Sequence, residues 1–431
     1  MCKKIILLLI ISLPAMCQAQ LGGFLKKVKN KVEDKVEQRA ENRVGKEVDK
    51  TLDQVEGKGP SSGASNTSTN NTSAEESKSE KQTVKSFSKF DFVPGEKVIY
   101  AEDFAQDAIG ELPLHWNSNG KGEIVSIENQ PGKWLKMFQN TTYLTGNKAS
   151  FDKNFTVEFD LLLQFNYKSY TFPLVYFGLL SSNDLPTTDN ALLSDLHRFQ
   201  SAQMMLRPYN NNTSSSELKT FVDRRDFFKG SDQELSDFES HYNKISHVAM
   251  QVQKNRLRIW INSQKVVDMP KALDTSYQFN QLYFKIGNSG YKEDAIGFYV
   301  SNVKVATGLP DTRHKLLDEG KFSTTGILFD VNAATIKPES AGVIKEIGTV
   351  LNENKDVKIK IIGHTDSDGA DAANLDLSKR RAAAVKAALV KDYSLDEGRI
   401  TTDGKGETTP VGDNKTREGK AQNRHVEFIK Q

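Results

Sequence analysis

From about residue 90 to residue 309 the apolar side chains fall on alternate positions. Phe155, Val157, Phe159, Leu161, Leu163 and Phe165 alternate with mostly polar residues, a period of two that turns one face of an extended strand into a core. Val248, Met250 and Val252 repeat the pattern, Lys254-Asn255 supplies a turn, and Leu257, Ile259 and Ile261 resume it, which is a hairpin signal. Leu282, Phe284 and Ile286, then Phe298, Val300, Val303 and Val305, add further strands. Many short strands with little helix between them point to an antiparallel β-sandwich over residues 90–309. The rival is a small transmembrane barrel, whose strands would run about ten residues and carry aromatic girdles. The long polar interval 181–243 would then have to be external loops, and too few segments have membrane-strand character.

At 431 residues the chain has room for two or three domains. Its start is organised differently from the sandwich. Lys3 and Lys4 precede an apolar run from Ile5 to Leu13, and Ala19 offers a small side chain before Gln20. That is the layout of a secretory signal over residues 1–19, too short to span a bilayer. A lipoprotein reading centred on Cys17 stays open, although Met16 is not the small residue such signals prefer. Both cysteines, Cys2 and Cys17, lie inside this segment. A chain cleaved after Ala19 therefore has no disulfide, thiolate metal site or cysteine nucleophile. With 58 basic against 56 acidic residues, the net charge of +2 leaves no footprint for nucleic acid. A mean hydropathy of −0.54 excludes a multi-span helical membrane protein.

Residues 20–56 read as an amphipathic charged helix. Val28, Val32, Val36, Ala40, Val44, Val48 and Leu52 recur every fourth position, between a basic and an acidic flank. Complementary flanks suit pairing with another helix, so self-association through residues 24–55 is an expectation, set against a solvated helix of marginal stability. Residues 57–89 are rich in Ser, Thr, Asn, Gly, Lys and Glu and hold almost no large apolar side chain. Such a run cannot offset its ordering entropy and reads as a disordered linker.

After a charged connector (310–321) the grammar changes to alternating strand and helix over residues 322–431. A strand is expected at 326–331. Pro338 opens a helix striped by Val343, Ile344, Ile347, Val350 and Leu351, and a β-branched strand follows at 357–363. A second helix is expected from about Leu377 to Val390, then strands near 399–402 and 425–429, giving an α/β sandwich with a mixed sheet. Asp366 sits where a strand ends, and Arg381 in the early turns of the next helix, so both side chains can reach one mouth. His364 reads as a packing residue. Asp366, Asp368 and Asp371 lack the glycine position and the closing glutamate of a calcium loop, so no metal or other cofactor is expected.

Two resemblances add to this reading. Gly363-His-Thr-Asp366-Ser-Asp-Gly369, Asn374-Leu-Asp-Leu-Ser378-Lys-Arg-Arg381-Ala382, Phe329-Asp330, Ile336-Lys-Pro-Glu-Ser340 and Asn423-Arg424-His-Val-Glu-Phe428 together resemble the OmpA-like C-terminal, peptidoglycan-binding domain. The resemblance implies a ligand, the diaminopimelate of the stem peptide, with its ammonium on Asp366 and its carboxylate on the planar fork of Arg381. It implies that Thr365, Asn374, Leu377 and Arg424 shape the pocket, and His425 stands where the family often has a second arginine. It also implies an outer-membrane-associated protein of a diderm bacterium whose C-terminal domain lies in the periplasm. Glu102-Asp-Phe104, Gly110-Glu-Leu-Pro113 and Trp116, with residues 256–262 and 265–268, are similar to concanavalin-like and laminin-G-like jelly rolls. That similarity leaves a glycan or a protein as the sandwich's partner, with Trp116, Trp134 and Trp260 as either sugar platforms or core. No nucleophile–base pair or phosphate loop stands out, so the expectation is a non-catalytic envelope protein. The alternatives are a wall-tethered glycan-processing enzyme and a barrel-type outer-membrane protein with a periplasmic anchor.

Overall fold

The alternating run at 155–165 becomes the central strand of a sheet. In the computed structural model, which describes residues 90–147, 149–166 and 171–431, this strand is Asn154–Phe165. It pairs antiparallel with Ile245–Gln253 on one side and Ile296–Thr307 on the other. The hairpin lies next to it: Ile245–Gln253 pairs with Arg256–Ile261 across a turn in which Lys254 takes a φ of 55°. The signal segment 1–19, the charged helix 20–56 and the linker 57–89 lie outside the described residues.

A second antiparallel sheet is built around Val175–Ser181, flanked by Gln200–Arg207 and Gln281–Ile286. Phe155, Val157, Phe159 and Leu161 from the first sheet share one core with Phe177, Leu179, Met204 and Phe284 from the second. This is a β-sandwich. Both sheets are open, with edges at Gln264–Met269 and Gly122–Val125 in one and Arg225–Lys229 and Asn117–Ser118 in the other, so the described strands form no closed barrel. Trp116, Trp134 and Trp260 are 5%, 0% and 1% exposed, which makes them core rather than sugar platforms.

The outer face of the first sheet is charged and nonetheless buried. His247 Nδ1 lies 2.8 Å from Asp160, Lys304 Nζ lies 2.9 Å from Glu158, and Asn302 Nδ2 donates to Asp160 at 2.8 Å. Burial disfavours the imidazolium, yet the two carboxylates outweigh it and lift His247 to about 9. Residues 90–95 run beside this face. Phe90 and Phe92 pack on Trp260, Asp91 accepts from the Trp260 indole at 3.0 Å, and the Gly95 amide donates to Thr156 Oγ1 at 2.8 Å.

The C-terminal domain has its own core, holding Phe322, Val343, Ile347, Leu351, Ile361, Val385, Leu389 and Phe428. Its elements are β1 (Lys321–Thr324), α1 (Ala341–Glu353), β2 (Ile359–His364), α2 (Asp371–Tyr393), β3 (Ile400–Gly406), α3 (Arg417–Asn423) and β4 (Val426–Lys430). The sheet order is β1-β4-β2-β3, with β2 and β3 parallel and the other pairs antiparallel. Within the connector, Thr312–Leu317 is a helix capped by Asp311, and its Leu316 enters this core. Two sequence expectations are corrected. The strand expected at 326–331 is an irregular segment with one bridge between Phe329 and Ile336, and the edge beside β4 is taken by β1. The second helix begins at Asp371, not near Leu377, because the polar 371–378 stretch turns Asn374 and Ser378 inward to bond with neighbouring loops.

Candidate functional site

Strand β2 ends at His364, and its chain is steered onward by two backbone bonds, His364 N to His425 O at 3.0 Å and Thr365 N to Gly406 O at 2.9 Å. The helix that follows can lie close because β2 carries a glycine here. A Cβ on Gly363 would stand 2.2 Å from the Ser378 carbonyl oxygen on α2. This close approach brings the end of β2 and the first half of α2 to one mouth.

Asp366 sits at that mouth and is 7% exposed. One carboxylate oxygen accepts from the Asp368 amide at 3.1 Å, and the other accepts from Arg424 Nη1 at 2.5 Å. Arg424 follows α3 immediately, and its side chain is 41% exposed, so the pair is buried on the acidic side and open on the basic side. Asn374 holds the loop in shape. Its amide nitrogen donates to Asp366 O at 3.3 Å, Asp368 O at 3.1 Å and Glu407 Oε2 at 2.6 Å.

Arg381 is near Asp366 without touching it. Its Nε donates to Ala333 O at 3.0 Å, and its guanidinium lies 4.9 Å from the Phe329 ring centroid. Burial lowers its pKa from the usual guanidinium range, and the charge of Asp366 opposes that shift. Asp366 and Arg381 thus make no direct ion pair: Arg424 holds the carboxylate, while carbonyls and an aromatic face hold Arg381. Arg381 also stands near the middle of α2, because that helix starts earlier than expected. Thr365 is buried, and its hydroxyl has no hydrogen-bond partner among the described residues. Leu377 is half-buried on α2, one turn beyond Asn374.

Behind the site is a pair of stacked imidazoles, His364 and His425, with ring centroids 4.2 Å apart. Burial, then the neighbouring His364, pushes His425 down to about 4. His364 is lowered by burial against the pull of Glu427, whose own partners are Lys321 and His364. Sequence reasoning missed Glu407, which braces Asn374, and the pairing of Lys420 with Asp368 at 2.6 Å. Neither carries a local sequence signal, since each depends on a loop returning to the mouth. Among the described residues no group of three or more His, Cys, Asp or Glu is placed to hold a metal ion.

The arrangement offers a buried carboxylate for a cation and two guanidiniums for an anion, within one mouth. These charges are chemically suited to a small zwitterionic head group.

Comparison with known proteins agrees with this region. Residues 328–424 match the OmpA family. The chain is 35% identical over 123 residues to the outer-membrane lipoprotein YfiB of Pseudomonas aeruginosa, covering 28% of this chain and 73% of that protein. It is 42% identical over 102 residues to the probable lipoprotein YiaD of Escherichia coli, covering 24% of this chain and 46% of YiaD. Outer membrane protein A of Bordetella avium is 43% identical over 100 residues, covering 23% of this chain and 51% of that protein. The chain thus spans about half the length, or less, of these last two relatives. Among solved structures, the cell wall anchor of the T6SS from Pseudomonas aeruginosa is 28% identical, with a TM-score of 0.23, covering 26% of this chain and 81% of that one.

Proposed function

The chain belongs to the OmpA family through its C-terminal domain, and from that premise we propose that it is a non-catalytic cell-envelope protein anchored to peptidoglycan. The ligand is the diaminopimelate of a stem peptide, whose side-chain end carries an ammonium and a carboxylate on one carbon. The observation that carries this reading is the buried Asp366 carboxylate set between Arg424 and Arg381. The Arg424 guanidinium contacts this carboxylate, in the place a ligand ammonium would take. On binding, the ammonium replaces it on Asp366, and the released Arg424 joins Arg381 on the ligand carboxylate. Arginine suits both positions because its planar fork matches a carboxylate in two-point contact, which lysine cannot do. Thr365 supplies a buried hydroxyl at the same mouth, and Asn374 keeps the loop in its receptive shape.

The domain lies in the periplasm, and the sandwich, a concanavalin-type jelly roll in this reading, presents a glycan- or protein-binding surface from a wall-held base. The test is co-sedimentation of the full chain with purified sacculi, beside Asp366→Ala and Arg381→Ala. Losing one partner of a desolvated charged contact costs about 2–5 kcal/mol, enough to abolish pelleting. Pelleting by the parent and not by the folded variants supports the anchor. A parent that stays in the supernatant, or three proteins that pellet alike, overturns it.

A further inference from the structure

Helix α3 is seven residues long and presents three faces, each with a different task. Arg417, Glu418, Ala421 and Gln422 face the sandwich strand Lys97–Glu102. Arg417 donates to Glu102 at 2.5 Å and to Asp107 at 2.7 Å, with side-chain exposures of 19%, 2% and 8% respectively. Glu418 accepts from the Ala101 amide at 3.3 Å, and Gln422 accepts from the Val98 amide at 2.8 Å while donating to Glu96 O at 3.1 Å. Ala421 packs with Val98, Ala101 and Ala306.

The second face carries Lys420, which pairs with Asp368, and leads to Arg424 on Asp366. The third face is locked. Asn423 accepts from the amides of Val411 and Gly412 at 2.8 and 2.7 Å, and a Cβ on Gly419 would stand 2.0 Å from Asp413 O. A short helix pinned in this way cannot shift against the sandwich without moving the two cations over the site loop.

We propose that α3 couples the sandwich to the ligand site, with Arg417 and Gln422 as positioning residues that set where Lys420 and Arg424 stand. This rests on the peptidoglycan reading above. The sandwich is then part of the grip, and whatever engages or pulls on it changes the hold on the wall. By reciprocity, ligand at Asp366 tightens the docking of the sandwich.

The full chain is titrated with a soluble stem peptide containing diaminopimelate. Arg417→Ala, which leaves Asp366, Arg381 and Arg424 intact, is expected to bind about tenfold more weakly, within the usual range of coupling between sites. Arg417→Lys keeps the charge but cannot span both carboxylates, so it falls between. Gln422→Ala leaves every buried charge paired and is expected to show a smaller loss, which guards against a folding defect in the arginine variant. Hydrogen exchange gives a readout that simple destabilisation would not move: the peptide should slow exchange of the Val98 and Ala101 amides in the parent and not in Arg417→Ala. If the parent binds, and these variants bind equally well with no ligand effect at those amides, the coupling is overturned and the anchor stands. A parent that does not bind overturns both.

Discussion

Replacing Glu102 by glutamine tests whether the sandwich and the C-terminal domain are docked as described. Glu102 is a carboxylate with a side chain 2% exposed, facing Arg417 across the contact. Burial raises it from its ordinary 4.5 to about 7, against the attraction of Arg417 and with some help from Asp107. The folded chain holds this proton more tightly than the unfolded chain. Its contribution to stability is therefore full below 4.5 and is lost as the pH rises through about 7. The interval from 4.5 to about 7, at about 1.4 kcal/mol per pH unit, amounts to roughly 3 kcal/mol. Denaturant unfolding of the parent and of Glu102→Gln, followed by tryptophan fluorescence from pH 4 to pH 8, isolates it. The stability of the variant relative to the parent should improve by roughly 3 kcal/mol across that range. Taking the difference removes the shared contributions of Glu346, also raised to about 7, and of His247 at about 9. A difference that stays flat with pH would refute the buried position of Glu102 and the docking that creates it.

The stacked histidines act with the opposite sign. His425 falls from 6.5 to about 4 in the folded chain, so its contribution, roughly 3 kcal/mol, is present above 6.5 and lost as pH falls through about 4; His425→Gln should flatten that acid limb of the unfolding curve. Gly363→Ala drives a methyl to within 2.2 Å of the Ser378 carbonyl and should cost about 1–3 kcal/mol, read as a lower Tm by circular dichroism. Arg381→Lys keeps the charge but loses the fork that reaches Ala333 O and covers Phe329. Its calorimetric affinity for a diaminopimelate stem peptide should fall about tenfold, a loss of about 1.4 kcal/mol.

Period-two runs translate directly into strands, and the hairpin at 245–261 needed nothing beyond alternation and a turn. The partner of each strand was not legible in the same way. Lys97–Glu102 and Trp134–Met137 share one flank of Ile296–Thr307 on either side of a register shift between Ser301 and Lys304, and no local pattern announces which distant strands those will be. Buried charge misleads for a related reason. Glu158, Asp160 and His247 occupy the outward positions of their strands and look solvated in sequence, yet the two carboxylates lie buried and the His247 side chain is 10% exposed. At the candidate site, the motif placed Asp366, Arg381 and Arg424 in one neighbourhood. Which arginine takes the carboxylate depends on α3 and its anchorage to the sandwich, a contact between residues more than three hundred positions apart.

In the proposed function the mouth at Asp366 reads an ammonium and a carboxylate on the same carbon. The direct measurement is calorimetric titration of the full chain with a stem peptide containing diaminopimelate, against the same peptide with lysine in its place. Lysine keeps the ammonium and lacks the second carboxylate. The diaminopimelate peptide should bind, the lysine peptide should lose at least about tenfold in affinity, and Asp366→Asn should lose the preferred peptide. Equal affinity for the two peptides, or undiminished binding by Asp366→Asn, would contradict that reading.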